Sequence, residues 1–424
     1  MNAPVLFTFI QRIGISLFNF LLVIITAKFM GATVRGEISL VMLAITFVQL
    51  VHQFFGGNPL IYFSRKTALL NLLIPAYAWG IVSTLLIVFA VNEFNQLPPH
   101  TFYWAMVLAL LQSIISTHTT MLLAAELVVK QNLVLMIQSF ATLLFLLIAF
   151  VYNDKLLLHH YLYALLGAYL LATILSTSFM IRHKWLHLNE YSLGWQLIKG
   201  VLSYGIVMQS TNICQFLNYR LSFYLLHAQA GKAALGVFST AIALGETSWL
   251  LSKSLTNVQY PKVVHETNHQ FKLLLTNDYA KKAFTGTFCL LLPLLLIPKQ
   301  GYCLLFGNEF ADVKYIVSCL SLGLLLMGFT APVSHYFSGV SKNRINLYAT
   351  LTGLIVTVFL GSVLILIFHM QGAILTMLIA YVAIAVVLLF TYCNQTNTSL
   401  TVLIPKPSDI KGYINNLFKL STFK

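Results

Sequence analysis

Apolar runs long enough to cross a lipid bilayer follow one another along almost the whole chain. A helix needs about 20 apolar residues to cross a hydrocarbon core of about 30 Å. Such runs lie at 5–29, 37–63, 69–91, 101–126, 131–152, 158–181, 199–226, 233–256, 283–303, 313–338, 345–369 and 371–393. Because an open sheet edge cannot exist in lipid, all of these runs are predicted to be helices. The predicted fold class is therefore all-α, a polytopic membrane protein with about twelve transmembrane helices.

Charged residues are too scarce for a soluble protein of this length. Only 8% of the 424 residues are Asp, Glu, Lys or Arg, whereas a soluble globular protein has about a quarter. This composition excludes a soluble enzyme, a nucleic-acid binder and a disordered protein. The five cysteines show neither a CxxC nor a His–Cys spacing. Neither a disulfide framework nor a metal site is indicated, and no cofactor is expected.

The basic residues are distributed unevenly between alternate loops. Lys28, Lys199, Lys299 and Lys314, near the ends of their runs, are counted with the adjoining loops. Sixteen Lys and Arg residues then follow even-numbered runs or lie in the C-terminal tail, six follow odd-numbered runs, and Arg12, Arg220 and Lys253 are counted inside runs, which accounts for all 25. Cytoplasmic loops carry the excess of Lys and Arg in membrane proteins. Both termini are therefore predicted to lie in the cytoplasm. The protein itself is predicted in the cell (inner) membrane. The polar stretch 257–282 is predicted to be a long cytoplasmic loop.

The runs divide into two sets of six. We predict an N-terminal six-helix lobe at 1–184, a cytoplasmic linker at 185–198, a C-terminal six-helix lobe at 199–393 and a cytoplasmic tail at 394–424. Apolar side chains alternate with lysines in the tail, so it could lie along the anionic inner leaflet. A plain solvated tail is the alternative.

A short internal repeat supports this division. Gly31-Ala-Thr-Val-Arg-Gly36-Glu-Ile-Ser39 recurs 200 residues later as Gly231-Lys-Ala-Ala-Leu-Gly236-Val-Phe-Ser239. Each copy follows the first run of its set. An even number of spans in each repeat predicts parallel halves related by an axis along the membrane normal.

Polar side chains inside the runs are the candidates for function, because each is costly in lipid unless it faces a neighbour or a water-filled cavity. Amides and hydroxyls also form ordinary hydrogen bonds between helices, and Arg12 and Arg220 could extend to the headgroups. Glu246 differs, since it lies about 20 Å from the outer end of its run. It is predicted either to pair with Lys253, Arg12 or another base, or to be protonated.

The sequence around the seventh and eighth runs resembles a known family. The motifs are Asn218-Tyr219-Arg220-Leu221-Ser222-Phe223, Gly236-Val237-Phe238-Ser239, Ala243-Leu244-Gly245-Glu246-Thr247-Ser248-Trp249 and Val258-Gln259-Tyr260-Pro261. They are similar to polysaccharide (O-antigen and exopolysaccharide) flippases, which share a superfamily with multidrug and toxin extruders and the peptidoglycan-lipid flippase. Many relatives have Asp where this chain has Ser222, so an ion-coupling role at that position is in doubt.

The resemblance implies two six-helix lobes that form a V-shaped cavity and move a polyprenyl-diphosphate-linked oligosaccharide to the outer leaflet by alternating access. The implied partners are membrane lipid, this glycan substrate, and glycosyltransferases or a polymerase of the same pathway, but no nucleic acid. Cations suit a diphosphate, and amides suit a glycan. We predict an ion-coupling role for Glu246 and no catalytic or metal-binding residue. The predicted substrate-binding residues are Arg12, Arg220 and Lys253 for the diphosphate, and Gln49, Gln53, Gln209, Asn212 and Gln215 for the glycan.

Two other functions remain open. An ion-coupled multidrug or metabolite exporter of the same fold would favour an acidic cavity for cationic substrates, whereas the bases inside these runs favour an anionic one. A membrane-embedded polysaccharide polymerase or acyltransferase would need reactive groups, usually on a large outward loop. The outward loops here are short.

Overall fold

The computed structural model describes residues 3–64, 69–94, 96–153, 155–182, 194–405 and 409. Within these residues every regular element is helical, which confirms the all-α prediction. Most of the predicted linker 185–198 and tail 394–424 lies outside the described residues. The helices are α1 Ala3–Gly56, α2 Asn58–Phe63, α3 Leu69–Glu93, α4 Phe102–Ala124, α5 Val128–Tyr152, α6 Leu158–Arg182, α7 Trp195–Glu246, α8 Leu250–His265, α9 His269–Leu296, α10 Lys299–Phe306, α11 Val313–Gly339, α12 Asn343–Thr396 and α13 Leu400–Leu403.

Three helices are far longer than one bilayer crossing, and each is broken at a single residue. α1, α7 and α12 contain 54, 52 and 54 residues. The breaks lie at Gly31 (φ 77°, ψ 173°), Gly231 (φ 79°, ψ −176°) and His369 (φ 46°, ψ −114°). The first two need glycine because a Cβ atom disfavours positive φ. Nine helices in the described part of the chain are long and apolar enough to span a membrane. The three breaks divide them into twelve segments, as predicted.

The prediction of a long loop at 257–282 is wrong. α8 continues to His265 and α9 begins at His269, so only 266–268 lies between them. The Asn268 side chain caps α9 by accepting hydrogen bonds from the backbone N–H of Gln270 (2.9 Å) and Phe271 (3.3 Å). Such a cap satisfies backbone donors that the helix leaves open at its first turn. Polarity excludes these residues from lipid, but it does not stop them from being helical.

The chain forms two compact units. The first contains the described residues up to Ile213, together with Gly231–Gly236 and Leu305–Gly307. In it α1 packs against α3, α4 and α5, and α6 packs against α4 and α5. Its core is a continuous apolar cluster that includes Val41, Leu108, Val134, Leu165 and Ala168. This packing positions the polar side chains through which α1 and α4 contact each other.

The second unit contains Cys214–Ala230, Val237–Leu304 and the described residues from Asn308 onward. α11 packs against α8, α9 and α12, and α8 packs against α9. The core includes Val263, Phe329, Phe337 and Tyr392. The predicted division into six-helix lobes at 184 and 199 stays a prediction, since the compact units assign 199–213 to the first.

The two copies of the repeat contact each other within the first unit. A Cβ atom on Gly36 would lie 1.9 Å from the carbonyl oxygen of Lys232, and one on Gly236 would lie 1.9 Å from that of Ala32. Lys232 Nζ also lies 2.7 Å from Glu37 Oε1. The backbones therefore touch directly, and no residue larger than glycine fits at either crossing position.

Candidate functional site

An ion pair in the second unit joins two of the predicted site residues, Arg220 and Glu246. Arg220 Nη2 lies 2.9 Å from Glu246 Oε1 and donates a hydrogen bond to Oε2 at 3.1 Å. The side chains are 24% and 22% exposed, so neither charge is fully hydrated. The guanidinium also lies over the Phe223 ring, 5.0 Å from its centroid. Among the described residues, the base that pairs with Glu246 is therefore Arg220 and not Lys253.

Glu246 lies where its helix changes geometry. α7 ends at Glu246, Thr247–Trp249 form one turn of 3₁₀-helix, and α8 begins at Leu250. A 3₁₀ stretch inside a longer helical run often marks a hinge. The sequence predicts one uninterrupted helix over 233–256, so this change of geometry was missed. Gly245 lies just before the turn, and the Ser248 hydroxyl donates to its carbonyl oxygen at 2.7 Å, but a single glycine in a helical run is not by itself a signal for a break.

Three aromatic rings pack together one turn from the ion pair. Ring centroids lie 5.9 Å apart for Tyr219 and Trp249, 5.4 Å apart for Tyr219 and Tyr381, and 6.0 Å apart for Trp249 and Tyr381. The Trp249 indole N–H donates to the carbonyl oxygen of Leu324 at 2.8 Å. These contacts hold α7, the 3₁₀ turn, α11 and α12 around the ion pair.

Two predicted substrate-binding residues border this aromatic cluster. Gln215 Nε2 donates to the Tyr219 hydroxyl at 2.9 Å. Lys253 is exposed, and its Nζ lies 5.6 Å from the centroid of the Trp249 ring, within the range of a cation–π interaction. The second unit thus brings Gln215, Arg220, Glu246 and Lys253 to one aromatic cluster.

Asn218 and Ser222 lie deeper on the same stretch of α7, and both are fully buried. Asn218 Oδ1 accepts a hydrogen bond from Thr357 of α12 at 2.8 Å. Ser222 Oγ has no hydrogen-bond partner among the described residues. The position at which many relatives have Asp therefore faces the interior of the second unit.

The other predicted site residues belong to the first unit. Gln49 Nε2 donates to Ser113 Oγ of α4 at 3.1 Å, which is the ordinary interhelical hydrogen bond that the sequence left as an alternative. Asn212 Nδ2 donates to Oε1 of the buried Gln209 at 2.8 Å, one turn earlier on α7.

Arg12 and Gln53 are the remaining predicted residues of this unit. Arg12 is exposed, and Gln53 is half-buried. Both belong to the first unit, whereas the aromatic cluster belongs to the second. Their substrate-binding roles stay predictions.

A second polar cluster, which was not predicted from the sequence, lies inside the first unit. His118 of α4 bridges Tyr77 of α3 at 2.6 Å and Ser176 of α6 at 3.0 Å. His52 of α1 contacts Thr117 at 3.0 Å. The signal was present, because His118 follows Thr117 in the polar stripe of its run. One residue is 100° around a helix, so His118 faces different neighbours from Thr117.

The His, Cys, Asp and Glu side chains are the groups that could bind a metal ion. In the part of the chain that the structure describes, no three His, Cys, Asp or Glu side chains come together to hold an ion. All five cysteines are free.

No protein-family model and no curated protein sequence matches the chain. Solved structures do. One described as lipid II flippase MurJ in an inward closed conformation has a TM-score of 0.74 at 16% identity, over 99% of this chain and 93% of that chain. An inward-facing multidrug resistance MATE family transporter of the MOP superfamily has a TM-score of 0.69 at 13% identity, over 90% and 95%.

An outward-facing MATE family transporter has a TM-score of 0.66 at 15% identity, over 93% of this chain and 96% of that chain. The chain has the fold of these transporters. Identities this low show the fold alone. The similar structures are flippases and transporters, not enzymes, so the polymerase or acyltransferase alternative has no structural counterpart among them.

Proposed function

We propose that the protein is a flippase that moves a polyprenyl-diphosphate-linked oligosaccharide from the inner to the outer leaflet by alternating access, for cell-surface polysaccharide synthesis. The similarity to a lipid II flippase over nearly the full length of both chains supports transport of a lipid-linked substrate. The resemblance at 218–261 to polysaccharide flippases supports a glycan as the headgroup.

The observation that carries this proposal is the charge balance around the aromatic cluster. Glu246 is paired with Arg220, so its negative charge is compensated within the second unit. Lys253 adds a positive charge that is exposed and held over the Trp249 ring. The cluster is therefore net cationic, which favours a diphosphate over a cationic drug. Gln215 supplies an amide next to these cations for sugar hydroxyls.

The remaining roles follow from charge and hydrogen-bonding chemistry. Arg12 adds an exposed cation in the first unit, and Gln49, Gln53, Gln209 and Asn212 add amides. Glu246 is the ion-coupling residue in this proposal. Its pairing with Arg220 could alternate with protonation, and the 3₁₀ turn that follows would transmit the change along α8.

The experiment that tests the proposal uses purified protein in liposomes with a fluorescent polyprenyl-diphosphate oligosaccharide of short lipid chain. Transport is measured as the fraction of glycan that becomes accessible to an added lectin or glycosidase. We expect protein-dependent transport that decreases in Lys253→Gln, because the diphosphate loses one cation.

Lys262→Gln is the matched control. Lys262 is also exposed on α8, and its Nζ lies 6.0 Å from the centroid of the Tyr279 ring. It therefore has the same chemistry at a distance from the aromatic cluster and should transport normally. Equal rates for the two variants would remove Lys253 from the binding site, and no transport of any lipid-linked glycan by stable protein would reject the flippase proposal.

An exporter of small molecules is the second candidate, because the fold is also similar to two MATE family transporters with TM-scores of 0.69 and 0.66. Ion-driven efflux of a cationic dye from the same liposomes would favour it. In that case Lys253→Gln should accelerate efflux, since it removes a charge that repels the dye.

The location and partners belong to the same proposal. The excess of Lys and Arg in alternate loops supports an inner membrane protein with both termini in the cytoplasm. The glycan substrate would be delivered by glycosyltransferases and consumed by a polymerase, both of which are the natural partners of such a flippase.

A further inference from the structure

Two buried histidines lie on the facing helices of the first unit. His52 of α1 is fully buried, and His118 of α4 is 5% exposed. In the described residues neither forms an ion pair. An ionisable side chain placed inside a transmembrane bundle is a candidate for function by default. The hydrogen bonds around the two rings give them different protonation chemistry.

Both nitrogens of His118 are occupied. The Ser176 hydroxyl donates to the carbonyl oxygen of Thr173 at 3.0 Å, so toward His118 it acts as an acceptor. His118 Nδ1 therefore carries the proton and donates to Ser176 Oγ at 3.0 Å. In a neutral ring Nε2 is then an acceptor, and it takes the hydroxyl of Tyr77 at 2.6 Å. Protonation of Nε2 would reverse this last bond, so that the ring donates to the Tyr77 oxygen, and the hydroxyl proton of Tyr77 would then need an acceptor that the described residues do not show.

His52 has the opposite tautomer and an unused nitrogen. The Thr117 hydroxyl donates to the carbonyl oxygen of Ser113 at 3.0 Å, so it accepts from His52. Nε2 therefore carries the proton of His52, and the distance to Thr117 Oγ1 is 3.0 Å. Nδ1 is left with a lone pair that has no hydrogen-bond partner among the described residues. A buried acceptor without a donor is unfavourable and calls for an explanation.

Two glycines make the space for this ring. A Cβ atom on Gly56 would lie 2.2 Å from His52 Nε2, and one on Gly80 of α3 would lie 3.3 Å from Nδ1. The free lone pair thus faces α3 at a residue that has no side chain. A small separation of α3 from α1 at Gly80 would admit water to Nδ1 without breaking the bond to Thr117.

We propose that His52 Nδ1 is a proton-binding site of the first unit, and that proton binding there favours separation of α3 from α1 at Gly80. The proton comes from water that reaches the site, and it returns to water when the helices close. The ligand is a proton and the product is an imidazolium whose two N–H groups donate to Thr117 and to water. No other covalent bond changes, but the separation has to stretch the hydrogen bond that the Trp79 indole N–H of α3 donates to the carbonyl oxygen of Val51 of α1 at 2.8 Å. This site is separate from Glu246 and does not depend on the identity of the transported substrate.

The surroundings of His52 set the direction of the pH dependence. Among the described residues, the groups beside the ring are the Thr117 hydroxyl of α4 and the backbone at Gly56 and Gly80, none of which is charged. An imidazolium enclosed there would lack a counter-charge, so the closed arrangement holds neutral His52. On the facing helices, the titratable side chains next to the residues that contact His52 are Tyr77 of α3 and His118 of α4, which pair with each other. The carboxylates on α1, on α3 and just after α4 are Glu37, Glu93 and Glu126, which lie 15 residues before His52, 13 after Gly80 and nine after Thr117.

Acidification is therefore expected to favour the separated arrangement. One linked proton changes the ratio of the two arrangements at most about tenfold for each pH unit. An exposed histidine titrates at about pH 6.5. Above that pH the closed arrangement with neutral His52 should predominate.

The test is a nitrogen NMR titration of the full chain in nanodiscs, with all twelve histidines labelled. The signals of His52 and His118 are identified as those lost in His52→Gln and His118→Gln. We expect His52 to be the Nε2–H tautomer and to become doubly protonated between about pH 6.5 and 4, because its protonation also has to separate the helices. His118 should be the Nδ1–H tautomer and should stay neutral over this range.

Amide hydrogen exchange of 76–84, corrected for the intrinsic pH dependence of exchange, measures the separation of α3. The protection of this segment should fall with acidification in the wild type and in His118→Gln, but not in His52→Gln. Glutamine keeps a donor for Thr117 and cannot titrate in this range.

Gly80→Ala provides a second variant if His52→Gln does not fold. Its Cβ atom would cover Nδ1 and hinder water, so the protonation of His52 should move to lower pH by about one unit or more. A His52 signal of the Nδ1–H tautomer, a His52 that stays neutral down to about pH 4, or pH-dependent protection that persists in His52→Gln would each overturn the proposal.

Discussion

Removing one charge of the Arg220–Glu246 pair should destabilise the protein more than removing both. Loss of one partner from a fully buried pair costs about 3–5 kcal/mol, and an exposed pair contributes under about 1 kcal/mol. These side chains are 24% and 22% exposed. We therefore expect an intermediate cost of about 1–3 kcal/mol for Arg220→Gln, which leaves a carboxylate without a base.

The two single variants should differ. In Glu246→Gln the guanidinium keeps the Phe223 ring at 5.0 Å, and an aromatic face compensates part of a positive charge. Arg220→Gln leaves Glu246 with no comparable contact among the residues that the structure describes. The expected order of thermal stability in detergent is wild type, double variant, Glu246→Gln and then Arg220→Gln.

Thermal unfolding of all four proteins gives the double-mutant cycle, and transport by each is measured in parallel. The control cycle uses Asp278 and Lys282, an ion pair one turn apart on α9 whose side chains are 43% and 36% exposed. Its coupling should be about 0.5 kcal/mol or less. If the losses of Arg220→Gln and Glu246→Gln simply add in the double variant, the pair is not coupled and the argument fails.

Three further predictions concern backbone and topology. Asn268→Ala should destabilise α9 by about 1 kcal/mol because two backbone N–H groups lose their cap. Gly36→Ala should cost more than the about 1–3 kcal/mol of ordinary overpacking, since its Cβ would meet a carbonyl oxygen at 1.9 Å. Gly14→Ala, where the nearest atom is Met136 Sδ at 3.5 Å, should fold normally. A single cysteine at Thr267 in a cysteine-free background should react with a thiol reagent only after the membrane is permeabilised, and labelling of intact cells would invert the predicted topology.

The apolar runs were sufficient to predict the class of fold. Lipid allows only structures that satisfy their own backbone hydrogen bonds, so length and hydropathy together determine helices. Even the break within α12 at His369 coincides with the predicted boundary between the last two runs.

Hydropathy was misleading where helices carry polar residues. The stretch 257–282 contains Lys262, Lys272, Lys281 and Lys282, and it is helical apart from 266–268. Lysine has a good helix propensity, so its presence speaks against burial in lipid and not against a helix. Hydropathy measures which environment a side chain prefers, whereas helix ends depend on caps such as Asn268.

The site could be predicted only in part, because its contacts join distant segments. The sequence identified Glu246 as a deep carboxylate and named several bases for it. Its pairing with Arg220 depends on how α7 turns back at Gly231, which spacing along one helix does not describe. The tautomers of His52 and His118 depend on hydroxyl groups from α4 and α6 and could not be inferred from sequence.

The close contact between the two copies of the repeat at Gly36 and Gly236 restricts which residues can evolve at these two positions. A side chain introduced at either position would collide with a backbone carbonyl oxygen of the other copy. Every residue has that oxygen, so no substitution in the other copy can relieve the collision. If the two halves arose by duplication, sequence similarity between them should be lost last in the nine-residue segment around these glycines. This is the segment in which the repeat is visible in the sequence.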